Sequence, residues 1–129
     1  MNASTIVLIM ILPIAEIVVG IMFYKNPIPQ NGILGYRTPS SQMSQETWDF
    51  AQKYCGKVCM IGGILLVAID AVLAFVVLPM LALNTKEISN LVNISVTVEA
   101  IFMFLLPLSM VEHSLKKNFD DNGHPVSNK

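Results

Sequence analysis

Three acidic residues stand where acids are costly: Glu16, Asp70 and Glu99 each fall near the middle of a long apolar stretch. An ionised Asp at the centre of a membrane-crossing helix costs about 2.5 to 3.5 kcal/mol on the insertion scale, and each Leu, Ile, Val or Phe returns only about 0.3 to 0.6 kcal/mol. A dozen apolar neighbours tolerate one such cost, but three acids at similar depth need a reason. No Lys, Arg or His lies within those stretches to pair with them. The three carboxyls are therefore expected to be neutral through desolvation and mutual repulsion, to face a wet cavity, or to bind a cation. As neutral acids they also qualify as interhelical hydrogen-bond donors, worth about 0.6 kcal/mol each. Pro13, Pro79 and Pro107 release the carbonyls of Ile9, Phe75 and Met103, four residues earlier. Freed carbonyls beside carboxyls are ligands for protons or cations; alternatively, neighbouring helices simply re-satisfy them.

A second group of polar residues gathers in one segment: Asn31, Gly35, Tyr36, Arg37, Thr38 and Pro39, followed by Glu46 and Trp48. The five-donor fork of Arg37 is suited to a carboxylate or phosphate of a partner, a lipid or another part of the chain. The plainer reading is a snorkelling anchor next to an aromatic-belt tyrosine. Trp48 likewise reads as an interfacial anchor, with Met43 at the spacing of a hydrophobic staple. Cys55 and Cys59 share a helical face, yet no third Cys or His ligand is near in sequence, so packing is expected of them rather than metal binding. His113, Lys116 and Lys117 suit the negative end of a helix. There is no nucleotide-binding glycine loop, zinc signature, nucleophile elbow or Cys/His pair set for catalysis, so neither an enzyme nor a cofactor is expected.

The elements that must hold these residues follow from composition. Of 129 residues, 53% are hydrophobic and only 13% charged, against about a quarter charged in soluble domains. The balance points to a membrane protein of one module, residues 1–129. A formal net charge of -1 with no basic block argues against a nucleic-acid partner, and two cysteines make no disulfide framework. A bilayer core about 30 Å thick needs roughly 20 apolar residues per helix. Three stretches qualify, at about 6–24, 58–83 and 91–110. The first lacks the basic start and small-residue cleavage pattern of a secretory signal, so a retained helix is expected. Lys25, Arg37, Lys53 and Lys57 lie between the first two spans, only Lys86 between the second pair, and Lys116, Lys117 and Lys129 in the tail. The positive-inside rule then puts the first loop and the C-terminus in the cytoplasm, and the N-terminus and residues 84–90 outside. The short second loop requires an antiparallel hairpin.

The cytoplasmic segment 25–57 divides into a turn-rich half and a helical half. Pro27 and Pro29 deny helix, Asn31-Gly32 favours a turn, and Gly35 permits positive φ before Pro39 pushes Thr38 into an extended conformation. From Gln45 a helix is predicted, capped by Ser44 and with Glu46 at the positive end of its dipole. At 100° per residue, Glu46, Asp49, Lys53 and Lys57 fall on one face and Trp48, Ala51, Cys55 and Cys59 on the other. That pattern describes a short amphipathic helix on the membrane surface, or one that bends at Gly56 into the second span.

The run Asn31-Gly32-Ile33-Leu34-Gly35-Tyr36-Arg37-Thr38-Pro39, then Ser44-Gln45-Glu46-Thr47-Trp48 and Ala51, resembles the signature of the SdpI family, relatives of a bacterial immunity protein against a sporulation-delaying peptide toxin. Gln52 stands where the family pattern has Asn after the Ala. The resemblance implies an all-α integral membrane fold of three transmembrane helices, with the amphipathic helix between the first and second. It also implies immunity to, or sensing of, a membrane-active peptide toxin, or the holding of a cytoplasmic regulator at the bacterial cell membrane. On the residues alone, the midplane carboxyls raise another expectation, a small proton- or cation-coupled transporter or channel, formed at the interface of a homo-oligomer because three helices enclose little volume.

Overall fold

The computed structural model describes residues 3–126 and is all-helical apart from one short bridge in the tail. Three long helices carry the fold: α1 (Ala3–Lys25), α2 (Gln45–Met80) and α3 (Thr85–Asn118). Each is long and apolar enough to cross a membrane. Their outward faces are apolar, with Ile14, Val18, Leu65, Phe75, Phe104 and Leu105 all exposed. Such a surface has no place in water and is what acyl chains contact. Glu16, Asp70 and Glu99, by contrast, turn inward and are buried.

α1 packs most extensively on α2, and the approach is backbone to backbone. A Cβ added at Gly56 would lie 2.6 Å from the amide nitrogen of Tyr24 and 2.7 Å from the carbonyl oxygen of Gly20. One added at Gly63 would lie 2.8 Å from the carbonyl oxygen of Pro13. Small residues at these crossings let dispersion and backbone contacts hold helices together where lipid removes the hydrophobic driving force.

At 1.5 Å per residue, the 36 residues of α2 and 34 of α3 span about 54 and 51 Å, well beyond a bilayer core, while the 23 of α1 span about 34 Å. α2 and α3 are antiparallel about a turn in which Ala82 takes a positive φ of 47°, a helix-ending conformation. Their surplus turns therefore project from the same end of the bundle, together with the 26–44 loop and the tail.

The first turns of α2 are not a separate interfacial helix. Gln45–Val72 is one unbroken α-helix that passes through Gly56. The faces nevertheless divide as the pattern predicts: Glu46, Asp49, Lys53 and Lys57 are exposed, and Trp48, Ala51, Cys55 and Cys59 are buried. Ser44 caps the helix, accepting from the amide of Thr47 while the Thr47 hydroxyl accepts from the amide of Ser44. Near its far end α2 widens into a π-helical turn, Leu73–Val77. Pro79 follows, and its ring would crowd the carbonyl of Phe75 in a regular α-turn; the wider turn relieves that clash.

The tail folds back on the start of α2. Phe119 bridges Pro125, Gly123 takes a φ of 78°, and its carbonyl accepts from the Ser44 hydroxyl at 2.8 Å. Lys129, counted with the basic tail, lies outside the described residues.

Candidate functional site

The loop between α1 and α2 has no regular structure beyond a 3-10 turn at Ser40–Gln42, so side chains must fix it. Asn31 organises its first bend: its Oδ1 accepts from the amides of Ile33 and Leu34 at 2.8 and 2.7 Å, and its Nδ2 donates to the carbonyl of Pro29 at 2.8 Å. This is the short-range backbone mimicry that favours Asn in turns. Trp48 is fully enclosed, and its Nε1 donates to the carbonyl of Ile28 at 2.6 Å. Rather than anchoring at a lipid interface, Trp48 clamps the loop onto α2.

Gly35 has a φ of 108°, and a Cβ there would fall 2.7 Å from Oε1 of Gln52. Both facts exclude an ordinary side chain, since the conformation is open to glycine and the space is taken. Gln52 uses that closeness. Fully buried, it accepts from the amide of Tyr36 and donates to the carbonyl of Tyr36, both at 2.7 Å.

Beyond this clasp the chain reaches across to α3. The Tyr36 hydroxyl donates to Oε1 of Glu112 at 2.9 Å, and the Thr38 hydroxyl donates to the same oxygen at 2.5 Å. Ser41 closes the bend, its hydroxyl accepting from the amide of Thr38 at 2.9 Å. Burial, together with the Glu112 carboxylate that its hydroxyl donates to, pushes the Tyr36 phenol well above the usual phenol range. Pro39 leads into the 3-10 turn.

Arg37 lies between these two anchored residues and differs from both. Its neighbours turn toward Glu112, while Arg37 is exposed and has no hydrogen bond or ion pair to any described residue. A guanidinium held on a backbone fixed from both sides, with its donors uncommitted, can take a carboxylate or phosphate in two parallel hydrogen bonds. Glu46, exposed in the first turn of α2, joins none of these contacts.

Two residues that hold this loop lie outside the candidate set: Gln52, which departs from the family's Asn at its position, and Glu112, which carries no turn or motif signal. Gln52 shares a helical face with Trp48 and Cys55, and a polar side chain on a buried face demands a partner; that was the available clue. The partnership of Glu112 with Tyr36, 76 positions away in the chain, has no local sign.

The intramembrane carboxyls form a second cluster. Glu99 lies close enough to Glu16 and Asp70 to act on both electrostatically. The Ser95 hydroxyl donates to Oε1 of Glu99 at 2.9 Å. Among the described residues no set of three or more His, Cys, Asp or Glu side chains is arranged to hold a metal ion. Cys55 and Cys59, with sulfurs 3.9 Å apart, are free thiols packed in a core with Ala51, Val111 and Leu115.

Three apolar helices, a bundle joined through glycine crossings and a polar loop pinned at one end define an integral membrane protein with three spans. Residues 27–111 match the SdpI/YfhL protein family, and the chain belongs to that family. The matched region starts at the loop and ends one residue before Glu112, so it contains the whole motif, all of α2 and α3 as far as Val111. No curated protein and no solved structure matches the chain.

Proposed function

We propose that this protein gives its host immunity to a membrane-active peptide toxin, or senses one, and that Arg37 is the polar contact. The observation that carries the reading is the presentation of Arg37: exposed and unpaired among the described residues, between Tyr36 and Thr38, which are both tied to Glu112. An amphipathic peptide in the bilayer would lie against the apolar faces of the helices while its carboxylate meets the guanidinium at the surface. The charge pattern supports a cytoplasmic position for this end of the bundle in a bacterial cell membrane, with the N-terminus outside. Lys25, Arg37, Lys53, Lys57, Lys116 and Lys117 gather there and, among the described residues, Lys86 is the one Lys or Arg at the opposite end.

The test is survival of a sensitive Gram-positive host expressing this chain, or an equally inserted Arg37→Ala version, against a panel of membrane-active peptides. Protection is expected from the first and lost in the second. Equal protection by both would remove Arg37 from the mechanism, and no protection against any peptide would remove the immunity reading.

One observation favours a second reading, the holding of a cytoplasmic regulator at the membrane: the face of Glu46, Asp49, Lys53 and Lys57 on the projecting turns of α2 is exposed throughout. Reversing the charge of Lys53 and Lys57 is expected to abolish capture of such a regulator from cytosol, and capture that persists would refute this reading.

A further inference from the structure

The proposed role of the motif loop leaves the carboxyl cluster unused, and the cluster has features that a packing role does not require. Glu16, Asp70 and Glu99 are 3, 1 and 5% exposed, and one oxygen of each (Oε2, Oδ2 and Oε2) is enclosed with no hydrogen-bond partner. Buried carboxyl oxygens without donors are expensive, and structures retain them where something else completes them. The groups that face them come from every helix of the bundle. Glu16 lies within electrostatic range of Glu99 from α3 and of the thiols of Cys55 and Cys59 from α2. Asp70 is met by Glu99, and Glu99 also by the Ser95 hydroxyl. None of these is a cation. A carboxylate oxygen only accepts hydrogen bonds, so where no donor reaches it a bound proton is what can complete it.

Polar space lies further along two of the helices that carry the cluster. At the end of the bundle opposite the motif loop, the starts of α1 and α3 part around a vestibule of about 510 Å³, lined by Thr5, Leu8, Thr85, Ser89, Val92 and Asn93. Its walls share helical faces with two of the carboxyls. Glu16 follows Thr5 by eleven residues and Glu99 follows Val92 by seven, so each stands on the same helical face as its wall residue, about 16 and 10 Å deeper. Ser95, hydrogen-bonded to Glu99, lies between Val92 and Glu99 on α3.

We propose that Glu16, Asp70 and Glu99 form a proton-binding site that exchanges protons through the vestibule between the starts of α1 and α3, so that its charge follows the pH on that side of the membrane. This site is separate from Arg37, and its failure would leave the toxin reading untouched. Three acids from three helices, with no cation among them, provide proton sites and no fixed counter-charge. The polar lining from Thr85, Ser89 and Asn93 admits water to the upper part of the path.

Infrared spectroscopy of the full chain, reconstituted with one orientation in phosphatidylcholine and phosphatidylglycerol vesicles, tests this directly. The carbonyl band of protonated carboxylic acids is followed while the pH is raised on one side at a time. Raising it on the vestibule side is expected to remove the band, and raising it on the loop side alone is not. Asp70→Asn, Glu99→Gln and Glu16→Gln, which keep side-chain shape, should each take away one carboxyl's share. Asn93→Leu, at the vestibule wall, should slow the response without changing its end point. A band that answers only to loop-side pH, a band that persists in the triple variant, or the lack of any titrating band in the unaltered protein would each overturn the proposal.

Discussion

The clasp between Gln52 and Tyr36 fixes the loop that presents Arg37, and replacing Gln52 by Leu measures its strength. Leu keeps much of the volume and the helix propensity but removes both hydrogen bonds to the Tyr36 backbone. The two losses are unequal. The Tyr36 carbonyl still accepts from the Ser41 hydroxyl at 3.2 Å, so it loses one bond of two, about 0.5 to 1.5 kcal/mol. Its amide is left with no acceptor beside a buried apolar side chain, about 1 to 3 kcal/mol. Together these come to about 1.5 to 4.5 kcal/mol, and they fall on closure of the loop rather than on the bundle, whose crossings lie elsewhere. At about 1.4 kcal/mol per factor of ten, the opened loop should become roughly 10-fold to 1,500-fold more populated. Hydrogen exchange of the Tyr36 amide reads this population, and trypsin cleavage after Arg37 gives an independent measure. Exchange at Tyr36 should accelerate by that factor in detergent micelles, while the amides of α2 around Gly63 stay protected. Gln52→Glu should fall between the two, because its carboxylate still accepts from the amide but repels the carbonyl it faces. Unchanged exchange at Tyr36 in the Leu variant would show that the clasp does not hold the loop, and the presentation of Arg37 would need another cause.

Gly56→Ala sets two effects against each other: Ala favours helix over Gly by about 1 kcal/mol, but its Cβ would meet backbone atoms of Tyr24 and Gly20 that cannot rotate away. Overpacking of this kind costs about 1 to 3 kcal/mol, so thermal stability in detergent should fall. Gly62→Ala, whose Cβ would make ordinary contact 3.5 Å from Glu16, should leave it unchanged or raise it. The Tyr36 phenol, raised by burial and by Glu112, stabilises the fold fully below the ordinary phenol value of 10.0. That contribution is lost as pH climbs above 10.0 toward the folded-state value, because the unfolded chain gives up the proton first. Tyr36→Phe should therefore flatten the fall in stability on the alkaline side, as followed by melting temperature against pH.

Apolar length alone made the three spans legible, since a run of 20 residues with few charges has no other comfortable place. Local chemistry made the Ser44 cap and the two faces of the first turns of α2 legible too, because both depend on residues within a few positions of each other. Gly56 shows where that reasoning stops. On helix propensity it reads as a bend that separates a surface helix from a span, yet the chain runs straight through it, and the glycine is there so that α1 can approach. The same limit governs Trp48. Its amphipathic ring and its place near the membrane suit an interfacial anchor, but the Ile28 carbonyl that takes its Nε1 proton comes from a loop whose path no single helix encodes. Glu112 is the extreme case, since its role depends on α3 returning to the level of Tyr36.

The two polar clusters are linked by the helix that serves both. α3 carries Glu99 to the carboxyl layer and Glu112 to the motif loop, thirteen residues or about 20 Å apart along one continuous helix. α2 does the same with Asp70 and Gln52, eighteen residues or about 27 Å apart. A change in the packing of these helices at the carboxyls would be delivered to the residues that hold Tyr36, and through them to Arg37, by rigid elements rather than by loose chain. The glycine crossings make such a change discrete, because backbones in contact at Gly20, Gly56 and Gly63 can slide or part but cannot be compressed. If the charge of the cluster biases this packing, protection by the Arg37 loop should depend on Glu99. Glu99→Gln should then alter the exchange rate of the Tyr36 amide although the two lie at different levels of the bundle. An unaltered rate in that variant would show that the two sites act independently, with α3 serving only as their common scaffold.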